Sequence, residues 1–300
     1  MEVAHLTYVL ETRNSFSLPA YKGATFRGTF GHHLKHTICI MRHRNCEACE
    51  VRAQCPFPYI FASRNGNNQE VLRPFVIKPP LTRKQFFLAK ENLFLNQVLI
   101  GKAIDYLPYF VYTFLRMGER GIGRDRGRYQ LKALYAVDAE GQKHAIYDPE
   151  KGTLESQFPR IDLDKIKSKL IPQVTIQFLT PTHIKTNGKM IRETTFPVLL
   201  KAILRRYHRL RYVHGDGQRE EFAIDWDLAE TIEVVHQELQ GEFFRRYSNR
   251  QKQSVPVEGI MGKVIFRGNL SPFYPWLKIG EYLHVGKGAT FGLGWYRVLE

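Results

Sequence analysis

The order of apolar patterns along the chain constrains its fold more than any other feature of the sequence. Residues 2–11 alternate in the manner of a strand, and in residues 24–38 apolar side chains recur four residues apart, as on one face of a helix. Two strands, a helix and a final strand follow, predicted at residues 71–78, 85–94, 97–117 and 129–137. This β-α-β-β-α-β order is typical of a ferredoxin-like domain.

The same order recurs in the second half of the chain. A strand, a helix, a strand, a short helix and a last strand are predicted at residues 173–184, 196–212, 255–266, 273–285 and 291–299. Residues 219–250 are interpreted as additional helical material, and the polar segment 139–170 as a connector. We therefore predict an α+β protein of two tandem ferredoxin-like (RRM-like) domains, at residues 1–150 and 165–300.

The charge of the chain predicts a polyanionic partner. Its 44 lysines and arginines exceed its 29 acidic residues by 15, and its pI is near 9.7. Nucleic acid is favoured over a membrane surface because no basic helix carries a continuous apolar face, although a merely basic soluble protein is the alternative. The chain has neither a signal-peptide pattern nor a membrane-spanning apolar run, so a soluble, cytoplasmic protein is expected.

Arginines are concentrated in three clusters. In residues 185–215, eight lysines and arginines face one acidic residue, and Tyr207, His208 and Tyr212 interleave with them as stacking partners for RNA bases. A solvated basic helix is the alternative interpretation. The arginines predicted to bind RNA are Arg124, Arg126 and Arg128 in one cluster, Arg192, Arg205, Arg206 and Arg209 in another, and Arg246 and Arg250 in the third.

All four cysteines lie within 17 residues, at Cys39, Cys46, Cys49 and Cys55. The C-x-x-C at the centre of this cluster is a metal-knuckle spacing, and four thiolates complete a tetrahedral zinc site without an open position. We therefore predict a structural zinc ion in an insertion of the first domain. His43 could replace one thiolate, and unmetallated thiols in an exposed loop are the alternative.

The end of the chain is rich in glycine. Glycines at 286, 288, 292 and 294 would let the backbone approach a phosphate closely, and His284 and Lys287 add a proton donor and a charge. The pattern is not a dinucleotide-binding fingerprint, because no helix follows it. We predict RNA contacts from this loop, by His284, Gly286, Lys287 and Gly288, in addition to a tight turn before the last strand.

Several blocks of residues, in order, resemble one family. The chain is similar almost end to end to the CRISPR-associated pre-crRNA processing endoribonucleases of the RAMP superfamily, some of which carry a cysteine cluster. The blocks are residues 23–31, 116–129, 178–182, 196–210, 246–251 and 259–268, followed by the glycine-rich ending. The resemblance implies tandem ferredoxin-like domains and binding of CRISPR repeat RNA. It also implies metal-independent cleavage by the neighbouring 2′-hydroxyl, which leaves a 2′,3′-cyclic phosphate and a 5′-hydroxyl.

Such a cleavage needs a base, an acid and cations that stabilise the charge on the phosphate. Histidine suits the first two roles at neutral pH, and the resemblance implies a catalytic histidine or tyrosine in or just after the first helix. That helix carries His32, His33 and His36. His32 and His36 lie one turn apart opposite the apolar stripe and are favoured, with His33 at its edge as the third candidate.

Other assignments remain open from the sequence. His284 beside Lys287 is a rival catalytic position, and Arg27 is a candidate phosphate clamp. A non-catalytic RAMP subunit that holds guide RNA among other CRISPR effector subunits would share the fold and the charge. A zinc-containing nucleic-acid-binding regulator would explain the cysteines but not the glycine-rich ending.

Overall fold

A computed structural model of the protein describes residues 1–41, 46–61, 71–217, 222–248 and 253–300. The chain divides into two compact units. The first comprises Met1–Ile161 and Val213–Asp216, and the second comprises Asp162–Tyr212 and Gly217–Glu300. Within the described ranges, none of the helices combines the length and the apolar character needed to cross a membrane.

The first unit is an antiparallel sheet with helices packed on one face. Its helices are α1 (Gly23–Ile38), α2 (Pro56–Phe61) and α3 (Leu107–Arg120). Its strands are β1 (Glu2–Thr12), β2 (Phe16–Ser17), β3 (Phe75–Lys78), β4 (Phe86–Phe87), β5 (Asn92–Ile100), β6 (Tyr129–Val137), β7 (Lys143–Ala145), β8 (Tyr147–Asp148), β9 (Thr153–Leu154) and β10 (Ile161–Asp162). Five strands pair in the order β3-β5-β1-β6-β7, and β10 also pairs with β1.

Strand periodicity determines which side of this sheet is covered. Alternate residues of β1, from Ala4 to Leu10, are buried in the same core as the apolar stripe of α1. The ring of Phe30 on α1 stacks on that of Phe110 on α3, with 5.3 Å between the ring centroids. The two helices therefore lie side by side on one face of the sheet.

Two predicted elements of the first unit are displaced along the chain. Residues 92–100 form the strand β5, whereas the sequence predicted a strand ending at 94 and a helix beginning at 97. The last four residues of β5 are all buried, and a short apolar run of this kind does not distinguish a strand from a helix. Pro108 lies in the first turn of α3 and does not break the helix, because proline lacks only an N–H that has no partner there.

The second unit repeats the β-α-β-β-α-β order. Its helices are α4 (Phe196–His214), α5 (Trp226–Glu230) and α6 (Tyr274–Leu283). Its strands are β11 (Gln173–Thr182), β12 (Lys185–Thr186), β13 (Lys189–Met190), β14 (Glu233–Ser248), β15 (Gln253–Arg267) and β16 (Tyr296–Leu299). The four long strands pair antiparallel in the order β14-β15-β11-β16, which is the ferredoxin-like arrangement also present in the first unit.

The prediction of helical material at residues 219–250 is confirmed only for the short helix α5 and is wrong for residues 233–248. Residues 233–248 form β14, an edge strand that pairs with β15 along its length. Its described side chains are either half-buried or exposed, and none of them is fully buried. Because this strand buries so few apolar side chains, its sequence resembles that of a polar helix. Its pairing with β15 determines that it forms a strand.

Candidate functional site

The three histidines of α1 form one cluster. Because Phe30 and Leu34 face the core, His32 and His36 project from the opposite side of the helix and are exposed, while His33 is half-buried. The ring centroid of His32 lies 4.5 Å from that of His36 and 5.2 Å from that of His33. The structure therefore brings together all three residues that the sequence proposed as catalytic.

The end of α3 adds two cations to this cluster. Burial above all, and then the neighbouring His32 and His36 and the guanidinium groups of Arg116 and Arg120, together lower the pKa of His33 to about 4. Burial and the proximity of His36 also lower the pKa of His32. His33 is consequently a neutral imidazole at pH 7 in the protein alone, and it faces positive charge.

A cavity of about 420 Å³ adjoins these cations and is lined by Glu119, Arg120, Arg126 and Arg128. Arg120 is common to the cavity and to the surroundings of His33. In the part of the chain that the structure describes, none of the three lining arginines forms an ion pair with a carboxylate. Three guanidinium groups against one carboxyl group make this cavity a site for an anion.

The loop that carries Arg126 is shaped by its backbone. Ile122 and Gly127 form an antiparallel bridge, and between them Arg126 has a φ of 49°. Gly121, which ends α3, has a φ of 85°, and a Cβ atom there would lie 2.3 Å from the carbonyl oxygen of Arg126. Asp125 accepts a hydrogen bond of 3.0 Å from the backbone N–H of Ser17. The turn thus holds its arginines beside α3.

Arg116 and Arg120 are not among the site residues predicted from the sequence. They lie four residues apart in the last turns of α3, so they share one face of it. The predicted helix ended at residue 117, which placed Arg120 in a loop. Their four-residue spacing could have shown from the sequence that they share a helix face. The orientation of that face toward His33, however, depends on the packing of α1 against α3. Arg124, which was selected, is exposed in the same turn but does not line the cavity.

Arg27 is packed against the first unit. Its guanidinium carbon lies 4.2 Å from the centre of the Phe61 ring, and the side chain is half-buried. This cation–π contact gives Arg27 a structural role on α1. The phosphate clamp predicted for Arg27 stays a prediction.

The structure contradicts the predicted role of His284 in RNA binding and catalysis. The residue is fully buried, its Nδ1 lies 3.0 Å from the carbonyl oxygen of Leu293, and its ring is parallel to that of Trp295. An imidazole enclosed in this way does not contact RNA or serve as the rival catalytic group. It packs in the core of the second unit.

The glycine-rich loop packs closely on its own unit. A Cβ atom at Gly286 would lie 2.3 Å from the carbonyl oxygen of His183, and one at Gly288 would lie 2.7 Å from the side chain of Leu293. The backbone N–H of Lys287 donates to the same His183 carbonyl, while the Lys287 side chain is exposed. Close packing thus accounts for both glycines, and Lys287 keeps a side chain open to an anion.

The structure also contradicts the predicted RNA contact of Arg206. It is 8% exposed, and its Nε donates to the carbonyl oxygen of Leu283 within the second unit. Burial, reinforced by the charge of Arg209, lowers the pKa of Arg206 to about 10. Arg206 therefore ties α4 to the end of α6 and does not contribute to an RNA-binding surface.

The other predicted arginines of the second unit differ in exposure. Arg192, Arg205 and Arg209 are exposed. Arg246 is half-buried, and its guanidinium carbon lies 4.4 Å from the centre of the Phe291 ring. Arg250 lies outside the described residues. All four remain predicted RNA contacts, and Arg246 also joins β14 to the turn before the last strand.

The four cysteines share one small cavity of about 20 Å³, next to Phe57. None forms a disulfide, and all are half-buried. Burial raises the pKa of Cys55, and the three neighbouring thiols, as prospective negative charges, raise it as well, against a hydrogen bond from the Phe57 backbone that lowers it. Among the described residues, no three His, Cys, Asp or Glu side chains are placed as ligands of a metal ion, and His43 lies outside that part of the chain.

Two family models match the chain. Residues 1–159 match a model described as an N-terminal domain, and residues 176–296 match that of the CRISPR-associated endoribonuclease Cas6. An uncharacterized protein of Archaeoglobus fulgidus is 27% identical over 292 residues, which cover 94% of this chain and 93% of the relative.

Solved Cas6 structures have the same fold. A Thermus thermophilus Cas6 in a product complex matches with a TM-score of 0.57 at 16% identity, over 99% of this chain and 100% of the other. A Cas6 chain in a partial Cas6–RT–Cas1–Cas2 complex matches with a TM-score of 0.56 at 12% identity, over 99% of this chain and 46% of that one. The chain therefore belongs to the family defined by that N-terminal domain, its residues 176–296 match the Cas6 model, and its fold is that of the solved Cas6 structures.

Proposed function

We propose that this protein is a metal-independent endoribonuclease that binds CRISPR repeat RNA and cleaves precursor crRNA in the cytoplasm. The observation that carries the proposal is the cluster of His32, His33 and His36 beside the arginine-lined cavity of the first unit. The Cas6 family model and the net charge of +15 support RNA as the polyanion that this site receives.

The cavity would bind the phosphate at the scissile bond. Guanidinium groups donate paired hydrogen bonds to phosphate oxygens, and Arg120, Arg126 and Arg128 line one cavity for them. The same charges would stabilise the pentacoordinate phosphorus, on which negative charge accumulates.

His33 is the proposed general base. As a neutral imidazole it would accept the proton of the 2′-hydroxyl while that oxygen forms a bond to phosphorus. The bond from phosphorus to the 5′-oxygen breaks, and His32 or His36 in its protonated form gives that oxygen a proton. The products are a 2′,3′-cyclic phosphate and a 5′-hydroxyl.

Bound phosphate would tune this base. Burial above all, then His32 and His36, and last the charges of Arg116 and Arg120 lower the pKa of His33 in the protein alone. A phosphate between these groups would offset the two guanidinium charges, so the pKa of His33 should be higher in the complex than in the protein alone. A base whose pKa approaches the working pH is the more effective catalyst.

The test is incubation of the protein with its own repeat RNA in EDTA. We expect cleavage to a cyclic-phosphate end, and we expect a single 2′-deoxy substitution at the cleaved nucleotide to abolish cleavage while binding persists. Circular dichroism in the same buffer checks that the chelator leaves the fold intact. Tight binding of an RNA that stays uncut would establish the alternative, a RAMP subunit that holds guide RNA among other CRISPR proteins.

We also propose that Cys39, Cys46, Cys49 and Cys55 hold one structural zinc ion. Their shared cavity supports a cation among them, because four thiolates make a complete tetrahedral ligand set for zinc. The ion would fix the chain after α1, and no catalytic step involves it. Elemental analysis should find one zinc per chain in the purified protein, and less in a Cys46→Ser/Cys49→Ser variant. A metal-free, fully folded preparation would exclude the ion.

A further inference from the structure

The outer face of α3 carries a stripe that packing does not explain. Tyr109, Tyr112, Arg116 and Arg120 follow one another at intervals of three, four and four residues, so they lie on one face of the helix. The opposite face, which includes Phe114, is buried in the core. Tyr109 and Tyr112 are 39% and 48% exposed. The helix thus presents two large aromatic side chains in line with two cations.

Tyr112 and Arg116 are a pair. The guanidinium carbon of Arg116 lies 5.9 Å from the centre of the Tyr112 ring, which is within the range of a cation–π contact. Within the described ranges, Tyr112 makes no ring–ring contact with another aromatic side chain. The ring is therefore oriented by a cation and still available to a planar ligand.

The stripe leads to the cavity. Arg116 and Arg120 both lie close enough to His33 to lower its pKa, and Arg120 lines the cavity itself. Four residues of a helix rise about 6 Å along its axis, so Tyr112, Arg116 and Arg120 stand roughly one helical turn apart. A chain of alternating bases and phosphates that leaves the cavity along α3 would meet Arg116 first and Tyr112 next.

We propose that Tyr112 stacks on a nucleobase close to the scissile phosphate. Arg116 would bind the backbone phosphate that lies between this nucleobase and the scissile phosphate. The inference rests on the proposed function for the location of that phosphate. The occupant is single-stranded RNA, because an exposed ring in line with cations fits a base next to a phosphate. Stacking tolerates any base, so Tyr112 is a positioning residue that holds the strand in register and does not select the sequence.

The experiment uses repeat RNA with a 2′-deoxy group at the cleaved nucleotide, so that binding is measured without cutting. A 2-aminopurine label is placed in turn at each of the neighbouring positions. We expect one position to be quenched by the wild-type protein. Tyr112→Ala should abolish that quenching and weaken affinity about 5- to 150-fold, the range for one base–aromatic stack. Tyr112→Phe should retain both.

Phe94→Ala is the matched control. Phe94 is 54% exposed in the same unit, but it alternates with core residues of β5 and so lies on the face of the sheet away from α3. Its removal should change neither quenching nor affinity. Salt dependence separates stacking from charge. Tyr112→Ala should keep the wild-type slope of log affinity against log salt, whereas Arg116→Ala should reduce it by about 0.7.

Quenching that survives Tyr112→Ala at every label would overturn the inference. Unchanged affinity together with a change in sedimentation of the protein alone would also overturn it, because the stripe would then be a protein contact. If the wild type binds and quenches but leaves unmodified repeat RNA uncut, the stacking result stands and the proposed catalytic function fails.

Discussion

Among single residues, His33 has the surroundings best suited to acid–base chemistry. It is half-buried between two other imidazoles and two guanidinium groups, and all of these favour its neutral form. His32 and His36 are more exposed. The sequence favoured those two for their exposure, whereas in the structure the charges of Arg116 and Arg120 act on His33.

We expect His33→Ala to slow cleavage about 100- to 10,000-fold, as for removal of a general base, and to leave RNA affinity within about twofold. His32→Ala and His36→Ala should differ from each other, because only one of them is needed as the acid. Single-turnover rates and filter binding on the same preparations measure both quantities. Normal cleavage by all three variants would place the catalytic groups elsewhere.

The pKa of His33 also predicts a pH dependence of RNA binding. Its protonated form is strongly disfavoured in the protein alone, where its pKa is about 4. A bound phosphate would disfavour that form less, because its negative charge offsets the neighbouring guanidinium groups. The complex therefore takes up a proton, and binding should be tighter at about pH 5.5 than at about pH 8. NMR titration of the imidazole, with and without 2′-deoxy-blocked RNA, measures both pKa values. A pKa that does not rise on binding would separate His33 from the phosphate.

The cavity predicts opposite effects for two adjacent residues of α3. Arg120→Ala removes a cation from it and should weaken RNA binding, whereas Glu119→Gln removes its carboxylate and should strengthen binding by a few-fold. The two changes alter the charge by one unit in opposite directions on the same helical turn. Isothermal titration with blocked repeat RNA gives both affinities. Equal affinities would show that RNA does not enter this cavity.

Among the elements, the turn after α3 determines where its arginines lie. Gly121 has a φ of 85° and no room for a Cβ atom, because the Arg126 carbonyl oxygen is 2.3 Å from that position. Gly141 has a φ of 87° and nothing within 4 Å of its Cβ position. The two glycines therefore share a left-handed φ and differ in their surroundings.

Gly141→Ala should cost only the left-handed strain of about 1–2 kcal/mol and leave RNA binding unchanged. Gly121→Ala should cost more, because the backbone at Arg126 must also move, and it should weaken RNA binding. Urea unfolding gives the two free energies of unfolding, and filter binding gives the affinities. Equal costs with equal affinities would mean that the turn does not hold the cavity in shape.

For the whole molecule, the net charge of +15 predicts steep salt dependence of RNA binding. Removing one cation that binds a phosphate should reduce the slope of log affinity against log salt by about 0.7, as for single strands. Arg126→Ala and Arg128→Ala should each show this reduction. Lys151→Ala, which removes an exposed cation paired with Asp148, should leave the slope unchanged. Identical slopes for all three variants would mean that neither arginine binds a phosphate.

The fold was largely predictable from the sequence, and each error in the prediction has a local cause. The two β-α-β-β-α-β orders are present, because the strand and helix periods survive in residues such as Phe30 and Leu34 that face a core. The β5 strand was misassigned because burial of consecutive residues erases its alternation. The β14 strand was missed because an edge strand that buries so few side chains leaves no apolar period to detect.

The sequence by itself determined the fold class, the basic charge and the cluster of histidines on α1, because local spacing and composition are sufficient for each. Tertiary packing alone decided that Arg116 and Arg120 lie toward His33, and that His284 and Arg206 are enclosed in the second unit. The physical reason is that burial and charge proximity depend on which elements meet in space. Residues 33 and 120 are distant in the sequence, and no local sequence pattern predicts that they lie close together in space.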